Sequence, residues 1–213
     1  MTTRRRLFAA AAALTAASLV PAAGFTADDS DAGEPPAAPI EALNQAIVAV
    51  MRAGRATAFA QRVQIFTPAV AAAFDLPQIL RSTVGLRYSG FPPEVQAELL
   101  DVFTEFTVAS YVANFAEDNG TRFDILPETR HAGVDEVVQT RLLPPTGAPV
   151  RLDYVMHRAA GGWKIVDVLM NGSISRVAVQ RSDFRALLGG GDAGPLIASL
   201  RGKVARLAAG QTD

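Results

Sequence analysis

Apolar positions along this chain change period twice. From Ile40 to Phe115 they recur at intervals of three and four, from about residue 122 to residue 170 they alternate, and from Arg176 onward the helical spacing returns. Ile40, Leu43, Ile47, Val50 and Met51 form one helical stripe, which Gly54 ends. A second apolar helix is expected over 56–73, interrupted before Pro68, because the residue preceding a proline avoids helical geometry. Asp75 is placed to cap a short helix near Leu76–Val84, with Pro77 in the first turn, where no backbone N–H is needed. The strongest helix runs from Pro93 to about Phe115. Its stripe of Val95, Leu99, Val102, Phe103, Phe106, Ala109, Tyr111, Val112 and Phe115 is wide enough to be buried on more than one side.

After the turn dipeptide Asn119-Gly120 the pattern predicts four strands, over 122–126, 134–143, 150–158 and 163–170. Their short connections require antiparallel neighbours. Val150, Leu152, Tyr154 and Met156 alternate with Arg151, Asp153, Val155 and His157, the pattern of a half-buried strand. In the last strand Ile165, Val166, Val168, Leu169 and Met170 put apolar groups on both faces. Helices covering one face would leave the other in water, so this two-sided pattern calls for more protein or for a bound apolar ligand. Two short helices, 176–188 and 195–209, follow around a glycine-rich break. Helices, a four-stranded antiparallel sheet and terminal helices make an α+β domain without internal repeats.

The first segment reads as an address. Arg4, Arg5 and Arg6 precede an uncharged, alanine-rich run over 7–20, and small residues around Ala22 and Ala23 offer a cleavage site. The run is shorter than the roughly 20 residues of a spanning helix, so a cleaved signal peptide over 1–22 is expected ahead of a retained anchor. Thr3-Arg4-Arg5-Arg6-Leu7-Phe8 fits a twin-arginine signal as well as a Sec one, and either delivers the protein to the periplasm. Residues 23–38, rich in Pro, Ala and Gly, read as a flexible acidic linker, leaving a domain over 39–209.

The chain carries 20 basic and 21 acidic residues. The leader removes three arginines, and the linker holds Asp28, Asp29, Asp31 and Glu34, so the rest of the chain, Asp213 included, balances 17 against 17. No basic patch or stripe advertises nucleic acid. With no cysteine, a disulfide scaffold, a thiol nucleophile and a thiolate metal centre are excluded; with only His131 and His157, so is a three-histidine site. Gly189-Gly190-Gly191-Asp192-Ala193-Gly194 matches a dinucleotide fingerprint in letters, but a helix precedes it where a strand is required. Ser173 or Ser182-Asp183 with either histidine lacks the strained elbow of a serine hydrolase. The pairs Glu117-Asp118, Asp135-Glu136 and Asp153 with Asp167 are carboxylates available for acid–base work, and exposed strand and loop charges explain them more simply. Trp163, the only tryptophan, is a core anchor or a pocket wall.

Trp163-Lys164-Ile165-Val166-Asp167-Val168, followed by Asn171-Gly172-Ser173, resembles the most recognisable segment of the MlaC family, the toluene-tolerance auxiliary lipid-transport proteins of Gram-negative envelopes. Phe74-Asp75-Leu76-Pro77, Pro92-Pro93-Glu94, Val150-Arg151-Leu152-Asp153-Tyr154 and Gln180-Arg181-Ser182-Asp183-Phe184 agree in order, so the likeness spans about Ile40 to Ala208. The Phe-Asp-Leu-Pro and Arg-Ser-Asp-Phe pieces look most like the branch associated with hopanoid clusters. Gly90-Phe91 departs from the family, which usually has a polar residue there.

The resemblance implies a non-enzymatic periplasmic carrier without cofactor or metal. It holds phospholipid tails, with hopanoids as a further candidate cargo, in an apolar cavity between helices and a twisted sheet. Its partners would be an outer-membrane lipoprotein complex and an inner-membrane ABC transporter with an MCE-domain subunit. Cavity walls are expected from Phe74, Leu80, Val84, Phe103, Phe106 and Tyr111 on the helices, and from Val138, Leu152, Tyr154, Ile165 and Val168 on the strands. Arg151, Gly172, Ser173 and Arg181 are expected at a headgroup rim or docking face, the alternative being solvated surface charges; Arg151→Glu is expected to leave the thermal midpoint nearly unchanged yet impair lipid exchange. Removing about 26 methylenes from water is worth ~20 kcal/mol, which only a closed apolar cavity can supply. Two rivals remain at this point: a small envelope enzyme with Asp153 or Asp167 as general base, and a ligand-free adaptor with a packed interior.

Overall fold

A computed structural model describes residues 34–211. The expected signal peptide, and the linker as far as residue 33, lie outside the described residues. The linker's last residues already turn into helix: the Ala38 N–H donates to the Pro35 carbonyl at 3.0 Å. The elements in order are α1 (Ala38–Ala53), α2 (Phe59–Ala73), α3 (Leu76–Val84), a 3₁₀ turn (Gly85–Gly90), α4 (Pro93–Asn114), β1 (Arg122–Ala132), β2 (Asp135–Leu143), β3 (Val150–Ala159), β4 (Gly162–Met170), β5 (Ile174–Ser175), α5 (Arg176–Leu187) and α6 (Gly194–Ala208).

The strands form one antiparallel meander in chain order. Register places Val138, Tyr154 and Val168 in one cross-strand row, and Thr140, Leu152 and Met170 in the next, on the face toward the helices. A bulge in the β3–β4 ladder pairs Val155 with Asp167 but Met156 with Ile165. The extra residue lets Ile165, Val168 and Met170 share that one face, so much of the two-sided apolarity of β4 is a break in alternation. The core joins α1, α3, α4 and α6 to this face, with Ile40, Leu43, Leu80, Leu99, Val138, Ile165 and Leu196 fully buried.

Three expectations need correction. Helix α2 is not interrupted at Pro68. An internal proline costs ~3 kcal/mol, but Phe66 and Val70 on either side of it are buried in the core and hold the helix through the lost bond. Strand β1 does not stop at Leu126. It pairs only with β2, and its register slips between Ile125 and Thr129, so Pro127 sits in a bulge on an edge strand, where no ladder donor is required. The sheet has five strands rather than four. The fifth is two residues long, pairing Ser175 with Leu169 and Ile174 with Met170, too short to show a period. The Asp75 cap is present: its carboxylate accepts the Gln78 N–H at 2.9 Å. The glycine run after Leu188 is a break between α5 and α6, with no strand before it.

Candidate lipid-binding site

Two adjoining cavities lie between α4 and the helix-facing side of the sheet. The larger, about 270 Å³, is walled by Ile47, Ser110, Tyr111, Asn114 and Phe115 from the helical side and by Phe123, Leu152, Tyr154, Val168 and Met170 from the sheet. The smaller, about 40 Å³, lies among Phe74, Leu76, Ile79, Phe103, Thr107, Asp167, Val177 and Gln180. Tyr111, Val168 and Arg176 line both and divide them. Together they stand at the lower edge of the ~300–1,000 Å³ typical of small-molecule sites.

The walls are more apolar than their composition. On α4 the Thr107 hydroxyl donates to the Phe103 carbonyl at 2.8 Å and the Ser110 hydroxyl to the Phe106 carbonyl at 2.7 Å. Both hydroxyls are thereby spent on their own helix. Asp167 is spent as well. One of its oxygens accepts the Val168 and Val177 N–H groups at 2.8 and 3.1 Å, and the other accepts the Ser175 hydroxyl at 2.5 Å. With the Ser175 hydroxyl accepting Ala178 N–H at 3.0 Å, this network caps α5 and fixes it to the end of β4.

Two tyrosine hydroxyls behave differently. Neither Tyr111 nor Tyr154 has a hydrogen-bond partner among the described residues, although Tyr154 is only 3% exposed. Burial raises the Tyr111 phenol to about 12 against a weaker opposing effect of Arg176, and pushes Tyr154 well above its ordinary value, with Tyr111 adding to the rise. Both remain neutral donors at physiological pH.

Of the eleven side chains expected at the walls, the fold brings six together around these cavities: Phe74, Phe103, Tyr111, Leu152, Tyr154 and Val168. The other five lie elsewhere. Leu80, Val138 and Ile165 are fully buried core. Val84 belongs to a separate groove beside the 3₁₀ turn. Phe106 lies under the Lys203 ammonium, 5.7 Å from its ring centre, on the side of α4 facing α6. Periodicity separates buried from exposed positions but not packed core from cavity wall. Thr107, Ser110 and Asn114 were missed because they are polar, yet with Phe103 and Tyr111 they complete one stripe of α4. Trp163 is half-buried against the core, beneath the Arg158 guanidinium, outside both cavities.

The expected rim residues also separate. Arg151 is exposed over 46% of its side chain, but it is a paired charge rather than a free one. Its guanidinium grips the Asp153 carboxylate through Nε at 2.9 Å and Nη2 at 2.7 Å, and Nη2 also donates to Gln139 Oε1 at 2.8 Å. Asp153 is 0% exposed and lies on the sheet face opposite Tyr154. Gly172, at φ +74°, passes beneath this guanidinium so closely that a Cβ would stand 2.7 Å from Nε. The Asn171 N–H donates to the Arg151 carbonyl at 2.8 Å. Arg151 and Gly172 therefore form one structural joint holding the turn after β4, with Ser173 exposed on that turn. Arg181 hydrogen-bonds the Ser82 carbonyl at 2.8 Å, tying α5 to α3 away from both cavities.

The acid–base candidates are similarly committed. Asp153 is held by Arg151 and Asp167 caps α5. His157 pairs with Asp135 at 2.7 Å and His131 with Glu136 at 2.6 Å, and among the described residues neither histidine bonds a serine. Among the described residues no three histidine or carboxylate groups cluster as a metal site, and no helix is long and apolar enough to cross a membrane.

Fold and cavity together define a helix-covered antiparallel sheet built around an apolar slot. A structure of a phospholipid-binding protein from Ralstonia solanacearum, solved in complex with a phospholipid, shares this fold with a TM-score of 0.71 and 22% identity, over 82% of this chain and 99% of that one. The MlaC protein family model matches residues 41–202, and the chain belongs to that family. No curated protein matches.

Proposed function

We propose that this chain is a lipid carrier of the bacterial periplasm. The observation that carries the reading is the slot between α4 and the β3–β4 face, walled by Phe123, Leu152, Tyr154, Val168 and Met170, in a member of the MlaC family. The Ralstonia neighbour with its bound phospholipid supports a phospholipid as cargo. Acyl chains entering the slot gain ~0.8 kcal/mol per methylene removed from water, nearly what a bilayer offers them. Loading and unloading are then close to neutral, as a shuttle requires. A two-chain lipid needs more room than the present volume, so α4 and the β3–β4 face must part as the chains enter.

The signal peptide over 1–22 would deliver the protein to the periplasm. There it would exchange lipid between an outer-membrane lipoprotein complex and an inner-membrane MCE/ABC transporter. An enzymatic reading gains nothing from the geometry, because each carboxylate it would use is already engaged.

Native mass spectrometry of the protein purified from its own envelope is the test. One diacyl phospholipid per chain is the expected result, and a hopanoid adduct would change the cargo but not the class. Protein that carries no lipid, and takes none from vesicles, would overturn the reading.

A further inference from the structure

Arg176 is the one cation that lines both cavities. It opens α5 immediately after β5, and its side chain is exposed. Among the described residues it has neither a hydrogen bond nor an ion pair. Asp167, the acid that lines the smaller cavity, has both oxygens hydrogen-bonded in the α5 cap and makes no ion pair with the guanidinium among the described residues. The other arginines considered for the rim are already engaged: Arg151 on Asp153, and Arg181 on the Ser82 carbonyl. Tyr111 and the nearly fully buried Tyr154, whose hydroxyls have no hydrogen-bond partner among the described residues, line the larger cavity together with Arg176. A free fork of donors at the divide, with two tyrosine hydroxyls in a mostly apolar space that Asn114 also lines, matches one ligand chemistry. That ligand has an anionic oxygen group outside, polar linkages at the neck and hydrocarbon within.

We infer that Arg176 is the headgroup anchor of the site and selects lipids bearing a phosphate. The guanidinium meets two phosphate oxygens at once, a geometry that a lysine ammonium does not reproduce. The tyrosine hydroxyls face the ester linkages at the neck, and the chains run into the cavities on either side of the Tyr111–Val168 divide. This assignment rests on the carrier reading and deepens it.

The test compares three probes on wild type, Arg176→Gln and Arg176→Lys: phosphatidylglycerol, a diacylglycerol with the same chains, and inorganic phosphate alone. Wild type is expected to prefer phosphatidylglycerol over diacylglycerol by about tenfold, the range of a charge-assisted hydrogen bond at a half-wet site. Arg176→Gln should bring phosphatidylglycerol down to the diacylglycerol level while leaving diacylglycerol unchanged, and Arg176→Lys should fall between. Inorganic phosphate should not displace the lipid, because the chains supply most of the affinity. The anchor is overturned if Arg176→Gln binds phosphatidylglycerol as wild type does, if it loses both lipids equally, or if inorganic phosphate alone competes at millimolar concentration. Wild type that binds neither lipid overturns the carrier reading itself.

Discussion

The two halves of α4 carry similar numbers of apolar residues and are packed to different ends. In the N-terminal half Leu99 and Val102 join Leu196 and Leu200 of α6 in one filled cluster, and Phe103, at the border with the smaller cavity, meets Phe184 of α5 edge-on at 6.3 Å. In the C-terminal half Val108 and Val112 are buried, but Thr107, Ser110, Tyr111 and Asn114 border open space. Tyr111 does not close that space. Its ring is braced on Phe66, Phe74 and Phe115 at 5.3, 5.9 and 6.2 Å. The braced aromatic wall keeps the slot from collapsing. The contrast shows how one helix serves stability at one end and binding at the other, with polar side chains turned back on their own backbone to make the binding wall apolar.

If the halves are divided in this way, substitutions should divide too. The largest expected effect is in the filled half. Leu99→Ala should cost about 3 kcal/mol in chemical denaturation, within the usual range for a fully buried leucine, while the protein that remains folded loads lipid normally. Next is the joint behind the sheet. Arg151→Glu sets a second carboxylate against the fully buried Asp153, so the thermal midpoint should drop, and drop further than for Arg151→Gln. A midpoint equal to wild type would mean that the pair does not hold the turn. In the open half the sign of the comparison reverses. Leu152→Trp fills the larger cavity, so stability should change by less than about 1.5 kcal/mol, while phospholipid occupancy measured by native mass spectrometry falls at least about tenfold, equivalent to ~1.4 kcal/mol of binding.

The smallest effect is a pH dependence of the slot's tyrosines. Tyr111 is raised to about 12 and Tyr154 is raised well above its ordinary value, so above pH ~10 the unfolded chain releases protons that the folded chain keeps. Stability should therefore be unaffected below that point and decline from pH ~10 to about 12. Tyr111→Phe should decline less steeply over the same window in urea titrations. An identical slope in the variant would place the Tyr111 hydroxyl in water.

Much of this architecture is written in residue order. The period change at Asn119-Gly120, the Asp75 cap and the alternation through Leu152, Tyr154 and Met156 each express a local rule that the fold obeys. What escaped depends on tertiary partners. Pro68 looks like a break until Phe66 and Val70 are seen anchored on both sides. Pro127 looks like a strand end until β1 is known to be an edge. Arg151 looks like a surface charge because nothing local says that Asp153, two residues on, is sealed from water. Leu80 and Leu152 look alike in any hydrophobic pattern, and only the packing around them separates core from cavity wall. Arg176 had no signal at all, since its importance comes from standing where two cavities meet.

The central claim, that acyl chains occupy the slot between α4 and the β3–β4 face, can be read directly by photocrosslinking. A phosphatidylglycerol with a photoreactive group midway along one chain would be loaded, irradiated and mapped by peptide mass spectrometry. The expected adducts fall on Tyr111, Leu152, Tyr154, Val168 and Met170, the lining of the larger cavity. Adducts concentrated instead on exposed apolar positions such as Leu86 and Val134, with none in the slot, would contradict the account.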